Sequence, residues 1–457
     1  MAGIGFELRK YLHSNSYLGT LKGYTYAGII SAGPWILSIL GVMLVGILSV
    51  SLKMDSKSVV SFLVSVTWLM AGSLMTTGFL LLVFIRFVAD RLFEKADDII
   101  LPNVAGLLIV STLVSGVVSS LVMWLLFPDQ SLLYRLLMVA NFTTLCNMWF
   151  AVIFASGMKQ YHLIIIAFCL GYSTVVASAV ALQAEGLEGL LTGLFIGHCT
   201  LLFFMLTLIF GEYPGKSFVR FDFLKRNKIY LRLAFIGFFY NTGLWIDKLL
   251  FWITPATSEP VIGPLRASLI YDLPIFFAYL SIVPGMAVFL IKFETDFVEA
   301  YDNYYRAVRE GETLQKIERF SRQMQKSVQE GFEQIIKVQG LTVISIFLLS
   351  SSIINWLDIS HRYLNLLHID VVSVAMQVLL LSILNVLFYL DRLTAAFWLT
   401  LLLVTSNGFL TWLTLQLDPM FYGFGFCSAM LITSITGMAI LRRTFQTLEY
   451  QTFMLQA

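Results

Sequence analysis

Charge is scarce in this chain. Only 13% of its 457 residues are Asp, Glu, Lys or Arg, against 58% hydrophobic, and the mean hydropathy is +0.82. Soluble domains carry roughly 25% charged residues, so a water-facing surface over this length is excluded. The net charge of +2 gives no electrostatic support for nucleic-acid binding. Cysteine is also sparse. Cys146, Cys169, Cys199 and Cys427 each fall in an apolar run and form no CxxC pair. They read as small buried hydrophobes rather than disulfides or metal ligands. The five histidines show no ligand spacing with them, so neither a metal nor any other cofactor is expected. GxSxG and HExxH are missing. The run Gly211-Glu-Tyr-Pro-Gly215-Lys216-Ser217 misses the phosphate-loop spacing, which needs glycine at 210 where the chain has Phe210. The chain reads as non-enzymatic. The apolar run after Lys22 is too long for a cleavable signal peptide and reads as a retained span.

What is abundant is apolar sequence of bilayer-spanning length, about 20 residues at a time. Twelve candidate spans cover 24–50, 59–87, 104–127, 134–155, 163–182, 187–210, 231–252, 270–293, 341–356, 371–390, 395–417 and 421–441. Counting alternate loops places 24 of the 30 Lys and Arg residues on one side and six on the other. Basic loops stay in the cytoplasm. The chain is therefore expected to be an all-α, multi-pass membrane protein with both termini cytoplasmic.

The organisation follows from the same count. Residues 1–23 form a cytoplasmic segment, 24–210 a six-helix half, 211–230 a basic linker, 231–441 a second six-helix half and 442–457 a tail. The long polar stretch 294–338 sits inside the second half. Ile317, Phe320, Met324, Val328, Phe332 and Ile335 recur there at spacings of three and four, the pattern of an amphipathic helix, with Gly311 interrupting. A cytoplasmic helical hairpin is expected. Its stripe of Ile317, Phe320, Met324 and Val328 either packs on the chain's own loops or docks a partner.

Charge inside a span is the best site signal, because burying it costs several kcal/mol unless it is paired or faces water. The seventh span carries Tyr240, Asn241, Trp245, Asp247 and Lys248. Tyr240 and Asp247 share one helical stripe, Asn241 and Lys248 the next, which suggests the wall of an aqueous cavity. The alternative is that Asp247 and Lys248 sit near the outer surface, with Lys248 snorkelling. Arg266 and Asp272 flank the eighth span. Asp272-Leu-Pro274 also suits a helix N-cap with proline in the first turn. Pro34 in the first span and Pro284-Gly285 in the eighth free backbone carbonyls and are hinge candidates. Trp35 beside Pro34 is either a sugar-stacking platform or a lipid-facing ring. Asn141, Asn147, Asn385 and Asn407 suit either sugar hydroxyls or hydrogen bonds between helices, the commoner use of such residues.

The start Met1-Ala-Gly-Ile-Gly-Phe-Glu-Leu-Arg-Lys10, with Gly23-Tyr24-Thr-Tyr-Ala-Gly28 and Ser31-Ala-Gly-Pro-Trp35, resembles the PelG family of bacterial Pel exopolysaccharide transporters. So does Arg86-Phe-Val-Ala-Asp90-Arg91-Leu-Phe-Glu94, with Phe87 and Phe93 where that family usually has tyrosine. The resemblance implies a fold of the multidrug/oligosaccharidyl-lipid/polysaccharide flippase superfamily, with two six-helix lobes around a central cavity. It implies a polysaccharide rich in N-acetylgalactosamine as cargo. It also implies a PelF-like cytosolic glycosyltransferase and PelD-like and PelE-like membrane subunits as partners.

Polysaccharide translocation is the leading expectation. An ion-gradient-driven exporter of small cations is the first alternative, and predicts a compact acidic site with few aromatics. A non-transporting scaffold for a polysaccharide synthase is the second, and the 294–338 stretch supports it.

Overall fold

In hydrocarbon a backbone must satisfy its own N–H and C=O groups, and a helix does so within each segment. The computed structural model describes residues 17–51, 54–158, 161–213, 215, 217–225, 230–356 and 364–454, and is nearly all helix over them. The N-terminal motif residues 1–16 and the basic residues Lys216, Arg226, Lys228 and Arg362 lie outside the described residues. Helix α1 runs Tyr17–Ser51, α2 Ser56–Phe93, α3 Ile100–Leu126, α4 Leu132–Gly157, α5 Tyr161–Ala181, α6 Gly186–Glu212 and α7 Leu231–Ile253. A two-stranded hairpin follows, β1 Glu259–Ile262 against β2 Leu265–Ala267. Then come α8 Leu269–Leu280, α9 Val283–Ile291, a π-helical turn Lys292–Phe297, α10 Val298–Arg309, α11 Leu314–Trp356, α12 Leu364–Tyr389, α13 Leu393–Leu415, α14 Phe424–Gln446 and α15 Leu448–Met454.

Among the described residues, nine single helices are long and apolar enough to cross a membrane, and two bent pairs pass the same test. The first bent pair lies within α1, which carries Pro34. The second is α8 with α9 and its continuation to Arg309, bent by 41°. Helix α7, the seventh expected span, has 23 residues but carries Arg232, Asp247 and Lys248 and does not pass that test.

The chain divides into two compact units. The first holds Pro34–Trp245 and Phe251–Ser268. Its tightest packing is between α5 and α6, where Gly189, Gly193 and Gly197 recur every four residues. A Cβ at Gly193 would lie 2.4 Å from the Ala179 nitrogen, and one at Gly197 2.2 Å from Val175 Cγ2. Ser178 Oγ donates to the Gly193 carbonyl at 3.0 Å. Without a hydrophobic drive between helices in lipid, this close approach is what binds them. The 211–230 linker belongs to this unit. Asp222 N–H donates to Asn103 Oδ1 at 2.7 Å, Arg220 N–H to the Pro102 carbonyl at 2.9 Å, and Tyr230 Oη to Asp90 at 2.8 Å.

The second unit holds Met1–Gly33, Ile246–Leu250 and Leu269–Ala457. Helix α12 is its centre, packed on α8, α11 and α14, with Val371, Val374, Val378, Leu380, Ile383 and Leu387 fully buried. The break between α8 and α9 falls beside Pro284, at the first turn of α9. Gln339 of α11 fills the gap. Its Nε2 lies 2.3 Å from where a Gly285 Cβ would stand, and donates to the Ile282 carbonyl at 3.5 Å. A larger residue at 285 would collide with it.

The 294–338 stretch is not a separate insertion. Its first part continues the bent span through the π-helical turn and α10; its second part is the start of α11. Gly311 makes the turn between them at φ +67°, a conformation glycine adopts without Cβ strain. The amphipathic stripe packs inward. Ile317 and Val328 are 4% exposed, Met324 0%, and Phe320 is half-buried, because α11 lies against α9, the π-helical turn and α10. The residues expected to dock a partner are covered by the chain itself. An apolar stripe is satisfied equally by either surface, and the neighbouring span reaches it first.

Candidate functional site

Within the second unit, the Ile246–Leu250 part of α7 and helices α8, α12, α13 and α14 converge on one buried ion pair. Asp247 of α7 is 0% exposed. One of its oxygens, Oδ2, accepts from Lys248 Nζ at 2.9 Å and from Tyr271 Oη of α8 at 2.6 Å. The other, Oδ1, accepts from Asn407 Nδ2 of α13 at 3.3 Å, and Thr411 Oγ1 donates to Asn407 Oδ1 at 2.9 Å. Lys248 is 4% exposed, and its Nζ sits 4.8 Å from the Phe426 ring centre of α14 and 5.4 Å from that of Tyr279. Neighbouring residues on a helix do not face each other, so the lysine stem folds back to reach Asp247. Snorkelling is therefore overturned for Lys248: it turns inward, because the carboxylate and two aromatic faces hold the ammonium there.

Asp370 of α12 completes the cluster. It is 0% exposed, neither carboxylate oxygen has a hydrogen-bond partner, and it lies within electrostatic reach of Lys248 and Asp247. With all three groups ionised the cluster carries two negative charges and one positive. Leaving a buried carboxylate ionised without hydrogen bonds is costly. The cluster can thus take up one proton or one small cation.

Of the other residues expected along a substrate pathway, Tyr240, Asn241, Trp245 and Arg266 fall in the first unit and Asp272 in the second. Asn241 Nδ2 donates to the Gly237 carbonyl of its own helix at 3.1 Å. Tyr240 is half-buried. Trp245 lies 6.2 Å from Trp252, and Trp252 lies 4.8 Å from Trp68 of α2, centre to centre. Trp68 Nε1 donates to the Arg266 carbonyl at 3.0 Å. The Arg266 guanidinium holds the hairpin, with Nε to Ser258 Oγ at 2.8 Å and Nη2 to the Ser258 carbonyl at 2.6 Å. Asp272 is in the first turn of α8. The side chain of Trp35 lies outside the described residues.

Six residues of the cluster were not singled out from the sequence as site residues: Asp370, Tyr271, Tyr279, Asn407, Thr411 and Phe426. Asp370 had a signal. It is an acidic residue directly before an apolar run, but the span drawn from 371 leaves it outside, whereas α12 starts at Leu364.

The Arg86–Glu94 stretch is also accounted for. Arg86 Nε lies 3.2 Å from Asp90, Asp90 accepts from Tyr230, and the Arg86 guanidinium sits 5.6 Å from the Tyr230 ring centre. The hydrogen bond to Asp90, with burial and the Asp90 charge adding to it, raises the Tyr230 phenol above its usual range despite Arg86.

The PelG family model, "Putative exopolysaccharide Exporter (EPS-E)", matches residues 1–453. The chain belongs to the PelG family. No curated protein matches it. Solved structures show the fold. An outward-facing multidrug resistance MATE family transporter of the MOP superfamily aligns with a TM-score of 0.66 at 13% identity, over 98% of this chain and 99% of that one. A MOP superfamily transporter from Pyrococcus furiosus gives 0.60 at 13% identity, over 93% and 96%. The Vibrio cholerae MATE transporter VcmN in the bent form gives 0.61 at 10% identity, over 97% and 98%. The architecture is that of the MOP transporters, and this PelG-family chain is a multi-pass membrane transporter.

Proposed function

We propose that this chain translocates a Pel-type, amino-sugar-rich exopolysaccharide across the bacterial inner membrane, with both termini in the cytoplasm. The observation that carries the reading is the exporter-family match over 1–453. The site agrees with it. Trp245 and Trp68, each half-buried beside the fully buried Trp252, offer ring faces suited to sugars. A cytosolic, PelF-like glycosyltransferase would deliver the polymer, with PelD-like and PelE-like subunits beside it. Because the apolar stripe of α11 is covered, the surface hollow lined by Arg319, Arg322, Gln323 and Lys326 is what such an enzyme would meet.

The test is secretion. Cells lacking the gene are complemented with the parent, with Asp247→Ala or with Trp245→Ala, and polymer in the medium is measured together with protein level. Trp245→Ala should secrete several-fold less at near-normal abundance, and Asp247→Ala should secrete several-fold less per unit of protein, with its abundance also falling because Lys248 is left buried without its counter-charge. Proteoliposomes are loaded in parallel with a cationic dye. Dye efflux without any dependence of polymer secretion on the chain would move the assignment to small-cation export.

A further inference from the structure

A second cluster in the second unit is unrelated to Asp247. Phe297, Tyr301 and Tyr305 recur every four residues from the π-helical turn into α10, so they share one helix face. Their rings follow one another at 6.2 Å and 4.5 Å between centres. Tyr389, the last residue of α12, stands across them at 5.6 Å from Phe297 and 5.5 Å from Tyr301. The face is fixed in place: Tyr304 is fully buried between, and its hydroxyl donates to Thr452 Oγ1 of α15 at 3.3 Å.

A carboxylate lies at the head of this aromatic row. Glu294 sits within the π-helical turn, a geometry that often marks functional positions. It accepts from Asn385 Nδ2 at 2.7 Å and from Tyr389 Oη at 3.4 Å. A carboxylate has about four acceptor positions, so two are spoken for. Around the row, Asn385 Oδ1 and Arg392 Nε are buried without a hydrogen-bond partner. Such orphans are uncommon and call for an explanation. Packing alone does not supply one. Tyr301, Tyr305, Tyr389, Glu294 and Asn385 are all half-buried rather than sealed, and the row uses phenols where a core would use plain hydrocarbon.

We propose that Tyr301, Tyr305, Tyr389, Glu294 and Asn385 form a saccharide-binding site on the basic side of the protein, taking the uncharged, hydroxylated rings of the polymer. The proposal rests on the translocator reading. The apolar C–H face of a pyranose lies on the tyrosine rings. Its hydroxyls donate to Glu294 and, after a small side-chain turn, to Asn385 Oδ1, and one accepts from Arg392 Nε. The site is separate from Asp247 in chemistry as well, because it holds hydroxyls and rings rather than a buried ion pair.

The experiment uses the full chain in lipid nanodiscs and a short N-acetylgalactosamine oligosaccharide carrying a photoreactive diazirine. After illumination the labelled peptides are mapped by mass spectrometry. Label should fall within 294–309 and 385–392. Tyr301→Ala and Tyr305→Ala should each reduce it there about fivefold, the scale of one lost ring contact, whereas Tyr305→Phe, which keeps the ring, should retain it. Glu294→Gln should lower labelling with an unchanged elution profile, so that loss of binding is separated from loss of fold. Label confined to other peptides, or equal labelling of Tyr305→Ala and parent, overturns this site and leaves the translocator reading intact. No label on any part of the chain also overturns it, and the secretion assay then decides independently whether polymer export depends on the chain.

Discussion

Asp247 and Asp222 have nearly the same partners in different surroundings. Each is held by one lysine and one asparagine: Lys248 and Asn407 for Asp247, Lys225 and Asn103 for Asp222. Around Asp247 the ion pair is sealed, with side chains 0% and 5% exposed. Around Asp222 the carboxylate is 10% exposed, but Lys225 is 64% and Arg220 44% exposed. The difference teaches what each pair is for. Water screens the second, so it fastens the 211–230 linker cheaply and contributes little beyond that. Nothing screens the first, so each charge depends on the other, and the uncompensated Asp370 beside them matters.

The largest expected effect comes from breaking the sealed pair. Asp247→Asn leaves Lys248 buried without its counter-charge, which costs about 3–5 kcal/mol. Thermal unfolding of detergent-purified protein should show a marked fall in midpoint, and Asp247→Asn with Lys248→Met should recover most of it. If the single substitution is silent, the ammonium has another home.

That home would be Asp370, which gives the next prediction. Asp370→Asn alone should be mild, because it removes a carboxylate with no hydrogen bonds to lose. Combined with Asp247→Asn, it should destabilise beyond the sum of the two by about 1 kcal/mol or more, the coupling expected of groups sharing one partner. Strict additivity would show that Lys248 does not exchange between the two carboxylates.

The smallest effect belongs to the linker. Asp222→Asn should cost about 1 kcal/mol or less at neutral pH. Burial pushes the Asp222 carboxyl up, but hydrogen bonds from Lys225 and Asn103 and the charges of Arg220 and Lys225 outweigh it and hold the group below its usual range. A carboxyl lowered on folding adds stability that is complete above the unfolded value of about 3.9 and fades as the pH falls through the folded one. The gap between parent and Asp222→Asn should therefore be constant from pH 7 to about 5 and close below about pH 4. A gap that widens on acidification would contradict this account of the linker.

Much of this was legible in the sequence, for identifiable reasons. Asp247 and Lys248 stand out because charge within an apolar run has few innocent explanations. The run lengths of apolar sequence fall on the nine long apolar helices and the two bent pairs of the described residues. What the sequence hid depends on boundaries and on convergence. Asp370 fell outside a span drawn one residue too late, and Glu294 outside one drawn one residue too early. The ninth span looked short because only the apolar end of the 43-residue α11 passes as membrane sequence. Asn407 is marked only as one of several polar residues within spans, and Tyr271 carries no local mark at all. Their role exists only once separate helices bring them to the same carboxylate.

Helix α11 has a mechanical consequence. Its 43 residues make a rod about 65 Å long, of which about 30 Å fits within hydrocarbon. About 35 Å is left projecting from the bilayer, braced by α10 along its side. A rod of that kind is a lever. Tilting it by about 10° carries its tip roughly 6 Å while the membrane end, pivoting at Gln339 against Gly285, moves far less. Whatever pushes on Arg319, Arg322 or Lys326 at the far end thus gains mechanical advantage at the break in the neighbouring span.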